Sequence, residues 1–446
     1  MAEFDAVFDK DFKGFLDALE TASPVEVRGR VTEVTGLVVK AVVPGVSVGE
    51  LCHIKVHHRN KPVRAEVVGF KDESVYLMPL GSLEGIGPGS EVVPSGNTLT
   101  VRVGPRLLGR VLNGLGDPMD HKGDLVGDDF VDYPVMQPPP DPLERQRILK
   151  PIEVGVRAID ATLTCGEGQR IGVFAAAGVG KSTLLGMIAR NTEAEVSVIC
   201  LIGERGREVR DFLEKDLGEE GLKRSVCIVA TSDQPSLVRL KSAYVATAIA
   251  EYYRDTGKKV VLMMDSSTRF ARSQREIGLA IGEPPARAGY TPSVFSELPK
   301  LLERTGNSSK GSITAFYTVL VAGDDMNEPV ADEVRSILDG HIILSRNLAA
   351  SGHYPAIDVS QSVSRVMESI AEEKHKKAAR KLREILATYE KQRDLILIGA
   401  YQKGSDPRVD YAIAKIDEVN NFLQQGLYEK MTFQQCVEGL CKLFEN

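Results

Sequence analysis

The segment Ala175-Ala176-Ala177-Gly178-Val179-Gly180-Lys181-Ser182 constrains this chain more than any other, because it lies between an apolar run at 170–174 and a helical pattern beginning near Lys181. A glycine-bearing turn that opens a helix and ends in Lys-Ser is a phosphate loop. Gly178 and Gly180 let successive backbone amides turn inward around a β-phosphate, and the helix amino terminus adds partial positive charge. Lys181 is placed to reach the β/γ oxygens of ATP, and the Ser182 hydroxyl to ligate Mg²⁺; Ala177, Val179 and Thr183 complete the cradle. Alanine replaces the first glycine usual in the motif, so the strand-loop-helix context carries the assignment.

That context recurs along the chain. Continuous apolar runs at 170–174, 196–202, 225–230, 260–264, 312–321 and 342–344 alternate with helical segments. Strands covered on both faces by helices have this composition, which predicts an α/β domain with a parallel sheet and crossover helices. The run Val260-Val-Leu-Met-Met-Asp265 ends in an acid, so Asp265 suits a Mg²⁺ ligand acting through water. Hydrolysis also needs a group to orient the attacking water. Leu201-Ile-Gly-Glu204-Arg205-Gly-Arg-Glu208 follows another apolar run, and its Glu204 and Glu208 are equivalent candidates on composition.

At 446 residues and 43% hydrophobic content, the chain is long enough for two or three domains. Val-rich runs at 25–34, 37–43, 64–70 and 75–79, broken by glycine turns, predict a small antiparallel barrel. No interleaving of aromatic and basic residues marks that barrel as a nucleic-acid platform, and a net charge of −7 argues the same way. Ahead of it, Phe4, Phe8, Phe12, Phe15, Leu16 and Leu19 make one stripe of a short amphipathic helix. Its six carboxylates against two lysines have the wrong sign for an anionic lipid surface. The proline-dense stretch 134–142 predicts an extended crossover.

Helical patterns at 368–402, 409–424 and 432–444 predict a carboxy-terminal helical domain. Its run Lys374, His375, Lys376, Lys377, Arg380, Lys381, Arg383 is expected to be a solvated face, with a ring pore or partner surface as the sharper alternative. The scattered cysteines form no CxxC pair and suggest reduced thiols. No stretch approaches the roughly 20 apolar residues of a membrane span, and no signal peptide opens the chain, so a cytoplasmic protein is expected.

The phosphate loop, Gly203-Glu204-Arg205-Gly206-Arg207-Glu208-Val209, Leu107-Leu108-Gly109-Arg110-Val111-Leu112-Asn113 and Gly282-Glu283-Pro284-Pro285-Ala286-Arg287-Ala288-Gly289-Tyr290 together resemble the type III secretion ATPases over nearly the whole chain. These are similar in turn to the catalytic subunits of rotary ATPases. The resemblance implies an oligomerisation barrel with its preceding helix at 1–95, a RecA-like ATPase domain at 96–366 and a helical domain at 367–446. It implies a homohexamer at the cytoplasmic face of the inner membrane that hydrolyses Mg-ATP to energise protein export. Its partners would be a stator-like regulator, a central stalk protein, the export gate and chaperone–substrate complexes, with no nucleic acid.

The resemblance also separates the two carboxylates: Glu204 takes the catalytic role, with Arg205 close to the phosphates. Tyr354, in His353-Tyr354-Pro355-Ala356-Ile357-Asp358, would stack on adenine. Arg365, in Ser362-Val363-Ser364-Arg365-Val366, would be an arginine finger donated to the neighbouring subunit's γ-phosphate. Arg269 is a weaker candidate at the same interface. Two rival readings remain: a noncatalytic nucleotide-binding ring subunit, which Glu204 disfavours, and a nucleic-acid translocase resembling Rho, which the acidic balance disfavours.

Overall fold

The computed structural model describes residues 27–56, 61–321, 323 and 325–445, so the amphipathic helix expected at 1–20 lies outside the described residues. The chain divides into two compact units, Met1–Asn97 and Thr98–Asn446.

In the first unit, strands β1 (Gly29–Thr35), β2 (Val38–Val42), β3 (Glu50–Ile54), β4 (Val63–Lys71), β5 (Ser74–Pro79) and β6 (Glu91–Thr98) close into a barrel in the order β1-β2-β5-β4-β3-β6. Alternate side chains point inward, and Val31, Val39, Ala41, Cys52, Ile54, Ala65, Val67, Leu77 and Val92 fill the interior. The four Val-rich runs are β1, β2, β4 and β5. Strands β3 (ELCHI) and β6 (EVVPSGNT) carry too few apolar residues to stand out in sequence; closure of the barrel gives them their pairing.

The second unit is built on a sheet in the order β17-β16-β10-β15-β13-β11-β12-β8. Its strands are β8 (Val111–Asn113), β10 (Arg170–Ala175), β11 (Val196–Glu204), β12 (Ser225–Thr231), β13 (Lys259–Asp265), β15 (Ser312–Leu320), β16 (Gly340–Leu344) and β17 (Val363–Ser364). A short β14 (Gly306–Asn307) runs against β15, and β7 (Thr100–Val103) with β9 (Val131–Pro134) forms a separate ribbon. From β16 to β8 every pairing is parallel. All nine residues of β11 are buried, as the unbroken apolar run requires of a strand with helices on both faces.

Parallel strands bring their carboxyl ends to one edge, where a doubly wound sheet gathers its ligand loops. β10, β15, β13 and β11 are neighbours there, so the loops after Ala175, Leu320, Asp265 and Glu204 converge. The helix Lys181–Asn191 leaves the phosphate loop and packs so closely that a Cβ on Gly186 would stand 2.7 Å from the Asp216 carbonyl oxygen.

At the carboxyl terminus the pattern expected to run unbroken over 368–402 is interrupted. A short turn, Met367–Ile370, precedes the helix Glu373–Leu397, because Glu372 is extended and Gly399 adopts a φ of 70° just past the end. The helices Pro407–Leu423 and Phe433–Lys442 follow. His375, Ala378, Ala379, Leu382 and Ile385 form the buried stripe of the long helix, and its four apolar residues share one core with Ile159, Val173 and Leu185 of the nucleotide domain.

The basic run is therefore more than a solvated face. His375 is buried, its Nε2 2.7 Å from the Ala161 carbonyl, and Arg383 donates to the carbonyls of Val359, Ser362 and Thr162. Only part of the run pairs outward, as in Lys374–Glu445 and Arg380–Glu368. The six cysteines are buried and unpaired. Among the described residues, no helix is long and apolar enough to cross a membrane.

Candidate active site

Gly178 and Gly180 adopt φ values of 80° and 90°, in the left-handed region where only glycine is unstrained. Gly180 opens the helix Lys181–Asn191 without any side-chain cap, which leaves the first-turn amides free for an anionic group. Val179 is buried beneath the loop, whereas Ala177, Gly178, Ser182 and Thr183 are exposed. The exposed Ser182 hydroxyl, close to the free amides, suits a Mg²⁺ ligand beside phosphate.

Lys181 reaches across the carboxyl edge to two acids. Its Nζ is ion-paired with Asp265 Oδ1 and lies 3.6 Å from Glu204 Oε1. Asp265 Oδ1 also accepts the Thr318 hydroxyl at 2.8 Å. Glu204 Oε2 accepts from Arg269 Nη2 at 3.1 Å.

Strand geometry explains why these side chains meet. Leu201 is paired with Asp265, and Met264 with Tyr317, so Asp265 and Thr318 fall on one face of the sheet. Strict alternation along β11 would send Glu204 to the opposite face from Leu201. A bulge prevents it: Ile202 pairs with Ala230 and Glu204 with Thr231, leaving Gly203 as the extra residue at a φ of 65°. Glu204 thus returns to the face of Asp265. Burial and the nearby Asp265 carboxylate push the Glu204 carboxyl up to about 7, against the pull of Lys181 and Arg269.

On the other side of the loop is a cavity of about 390 Å³ lined by Gly178, Gly180, Thr183, Tyr354, Gln425 and Leu427, among others. The half-exposed Tyr354 ring lies 3.7 Å from where a Gly180 Cβ would stand, which sets the ring beside the loop.

Arg205 and Arg365 stand apart from this cluster. Arg205 is exposed and pairs with Glu208 at 3.3 Å. Arg365 is also exposed, its Nη2 donating to the Arg335 carbonyl at 3.4 Å. Ser364 pairs with Gly340 at the start of β16, whereas Ala175 pairs with Leu344 at its end. Arg365, one residue further and opposite Asp339, lies five residue steps at ~3.3 Å, roughly 16 Å, along the strand direction from its own phosphate loop.

Sequence reasoning missed Thr318, Gln425 and Leu427. Thr318 lies inside an apolar run and has no motif of its own, and the other two lie some 245 residues beyond the loop they line. Arg269 is held by Glu204 of its own chain, a pairing that sequence alone did not indicate.

A phosphate loop on a parallel sheet, an acid ending the strand two places away and a second acid within reach of its lysine define a RecA-like P-loop nucleoside triphosphatase. The chain matches the nucleotide-binding domain of the ATP synthase alpha/beta family over residues 155–364 and the beta-barrel domain of that family over 31–96. Residues 371–442 match the T3SS EscN ATPase C-terminal domain. It is 52% identical over 97% of its length to the flagellum-specific ATP synthase of Bacillus subtilis, covering 99% of that protein. It is likewise 52% identical over 94% of its length to the type 3 secretion system ATPase of Xanthomonas euvesicatoria, again covering 94% of the relative. The assembled ATPase EscN from the enteropathogenic E. coli type III secretion system has the same fold, with a TM-score of 0.88 at 46% identity over 93% of this chain and 99% of that one. The chain belongs to the type III secretion and flagellar ATPases.

Proposed function

We propose that this protein hydrolyses Mg-ATP in a homohexameric ring and that hydrolysis energises type III protein export. The observation that carries the reading is the contact of Lys181 with both Asp265 and Glu204, which sets a cation, a metal-site acid and a candidate water-orienting acid within one cluster. EscN, similar over nearly the whole chain, has been solved as an assembled ATPase, and also in complex with its central stalk EscO.

In this reading Lys181 binds the β/γ oxygens and the amides of Gly178, Val179 and Gly180 hold the β-phosphate. Ser182 and Asp265 would hold Mg²⁺, which would offset charge on the triphosphate oxygens. Glu204, ionised, orients water for in-line attack, while Arg269 and Lys181 keep its carboxylate aimed. Tyr354 stacks on the base. Arg205, exposed beside the site, approaches the phosphates as the ring closes. Arg365 acts in trans: exposed, and distant from its own loop, it supplies the neighbour's γ-phosphate with the last cation.

Residues 1–95 then serve as the oligomerisation domain, 96–366 as the ATPase and 367–446 as the partner-bearing helical domain. The exposed Leu395, Leu397 and Ile398 at the end of the long carboxy-terminal helix support a central-stalk contact there. A stator-like regulator, the export gate and chaperone–substrate complexes are the further partners, at the cytoplasmic face of the inner membrane. Turnover per subunit, measured across protein concentration, tests the reading. It should rise with ring assembly, and purified rings inactive with Mg²⁺ would overturn it.

A further inference from the structure

Part of the wall of the base cavity comes from the stretch between the last two helices, Pro407–Leu423 and Phe433–Lys442. Gln425 anchors that stretch. It is buried, and every polar atom of its side chain is used: Oε1 accepts from the Arg157 backbone amide at 2.7 Å, while Nε2 donates to the Gly155 carbonyl at 3.1 Å and the Glu429 carbonyl at 2.9 Å. Its own backbone amide donates to the Tyr354 carbonyl at 3.0 Å.

The surroundings of Gln425 are tied to the carboxyl end of the helix that the phosphate loop opens, away from the loop itself. The Gly155 carbonyl also accepts from Asn191 Nδ2 at 3.3 Å, and Asn191 is the last residue of the helix that the loop opens. One residue earlier, Arg190 Nη2 donates to the Leu427 carbonyl at 2.8 Å. The Arg157 guanidinium fastens the other side, donating to the carbonyls of Phe422 and Gln424 at 3.1 and 2.8 Å.

We infer that Gln425 is a positioning residue for nucleotide binding: it fixes the carboxy-terminal wall, with Leu427, at the distance from Tyr354 that grips the base. The inference rests on the reading of this cavity as the base site. With both N–H groups of its amide donated and its oxygen already bonded to the Arg157 amide, Gln425 has no donor left for the edge of a base, and its contribution is to spacing. The phosphate end of the site lies on Gly178 to Thr183 and does not depend on it. Loss of the amide therefore weakens recognition of the base and spares recognition of the phosphates.

The test compares the KM for Mg-ATP with the inhibition constant of inorganic triphosphate, a competitor that has phosphates and no base, in the full-length enzyme. Gln425→Leu should raise the KM for ATP at least tenfold and move the triphosphate constant by less than twofold. An equal rise in both, or no rise in either, overturns the inference. If the leucine variant does not fold, Gln425→Glu is read by the same comparison, since it lacks both donor bonds. Tyr354→Ala is the control for the cavity itself. If it leaves the ratio unchanged, the base-site reading fails; if it shifts the ratio and the Gln425 variants do not, only the positioning role fails.

Discussion

Lys181 and Asp265 are paired directly across the carboxyl edge of the sheet, and the Asp265 oxygen that receives the lysine is the one that accepts the Thr318 hydroxyl. The lysine of the phosphate loop thus faces two carboxylates, Asp265 and Glu204.

Removal of either end of that contact separates binding from chemistry. Lys181→Ala and Glu204→Gln should both abolish turnover. The lysine variant should lose about 10- to 100-fold in Mg-ATP affinity, the scale of a charge-assisted hydrogen bond. The glutamine variant should stay within about threefold of the parent, because the amide keeps the shape of the pocket. Titration with a fluorescent ATP analogue decides; equal losses would refute the assigned role of Glu204.

Thr318 should act on the metal through Asp265. Thr318→Val deletes the hydroxyl and leaves Oδ1 one donor short, so the Mg²⁺ concentration for half-maximal activity should rise several-fold. Thr318→Ser should restore it. An unchanged Mg²⁺ requirement in the valine variant would show that the hydroxyl serves packing alone.

Gly203→Ala attacks the bulge. The new Cβ would stand 2.9 Å from Arg269 Cδ, at a φ of 65° that costs a non-glycine residue about 1–2 kcal/mol. Glu204 should shift from the face of Asp265, and kcat should fall at least tenfold with little change in KM. A parental kcat would mean that β11 keeps its register without glycine.

The burial of Glu204 carries a pH signature. Its carboxyl sits at about 7 when folded against an ordinary 4.5, so the folded state holds this proton more tightly than the unfolded state does. The stability cost of ionising it is absent below about 4.5, opens as pH rises and is complete above about 7. Glu204→Gln should therefore stabilise the nucleotide-free protein at pH 8, by up to about 3 kcal/mol, and leave it unchanged at pH 4.5. Urea midpoints at the two pH values measure the difference. Activity should likewise decline as pH falls through about 7, where the water-orienting carboxylate takes up its proton.

A finger acting in trans predicts complementation. Arg365→Ala should suppress turnover, and mixed rings with Lys181→Ala subunits should regain part of it at interfaces that join an intact loop to an intact arginine. No recovery at any mixing ratio would rule against the shared site.

Local sequence was sufficient for features set by local physics. A phosphate loop needs glycine at left-handed φ and a helix amino terminus, and both are written into 175–182. Strands buried on both faces need largely apolar runs, and β10, β11, β12, β13 and β15 have them. The same local view could not see β3 or β6, whose strand character comes from closing the barrel. Composition left Glu204 and Glu208 equivalent and the resemblance favoured Glu204; the tertiary structure added the one-residue bulge at Gly203 that returns Glu204 to the face of Asp265. It alone brought Thr318, Gln425 and Leu427 to the site. Their chemistry lies in distance to partners more than 50 residues away for the threonine, and more than 200 for the other two, and periodicity carries no information across such separations.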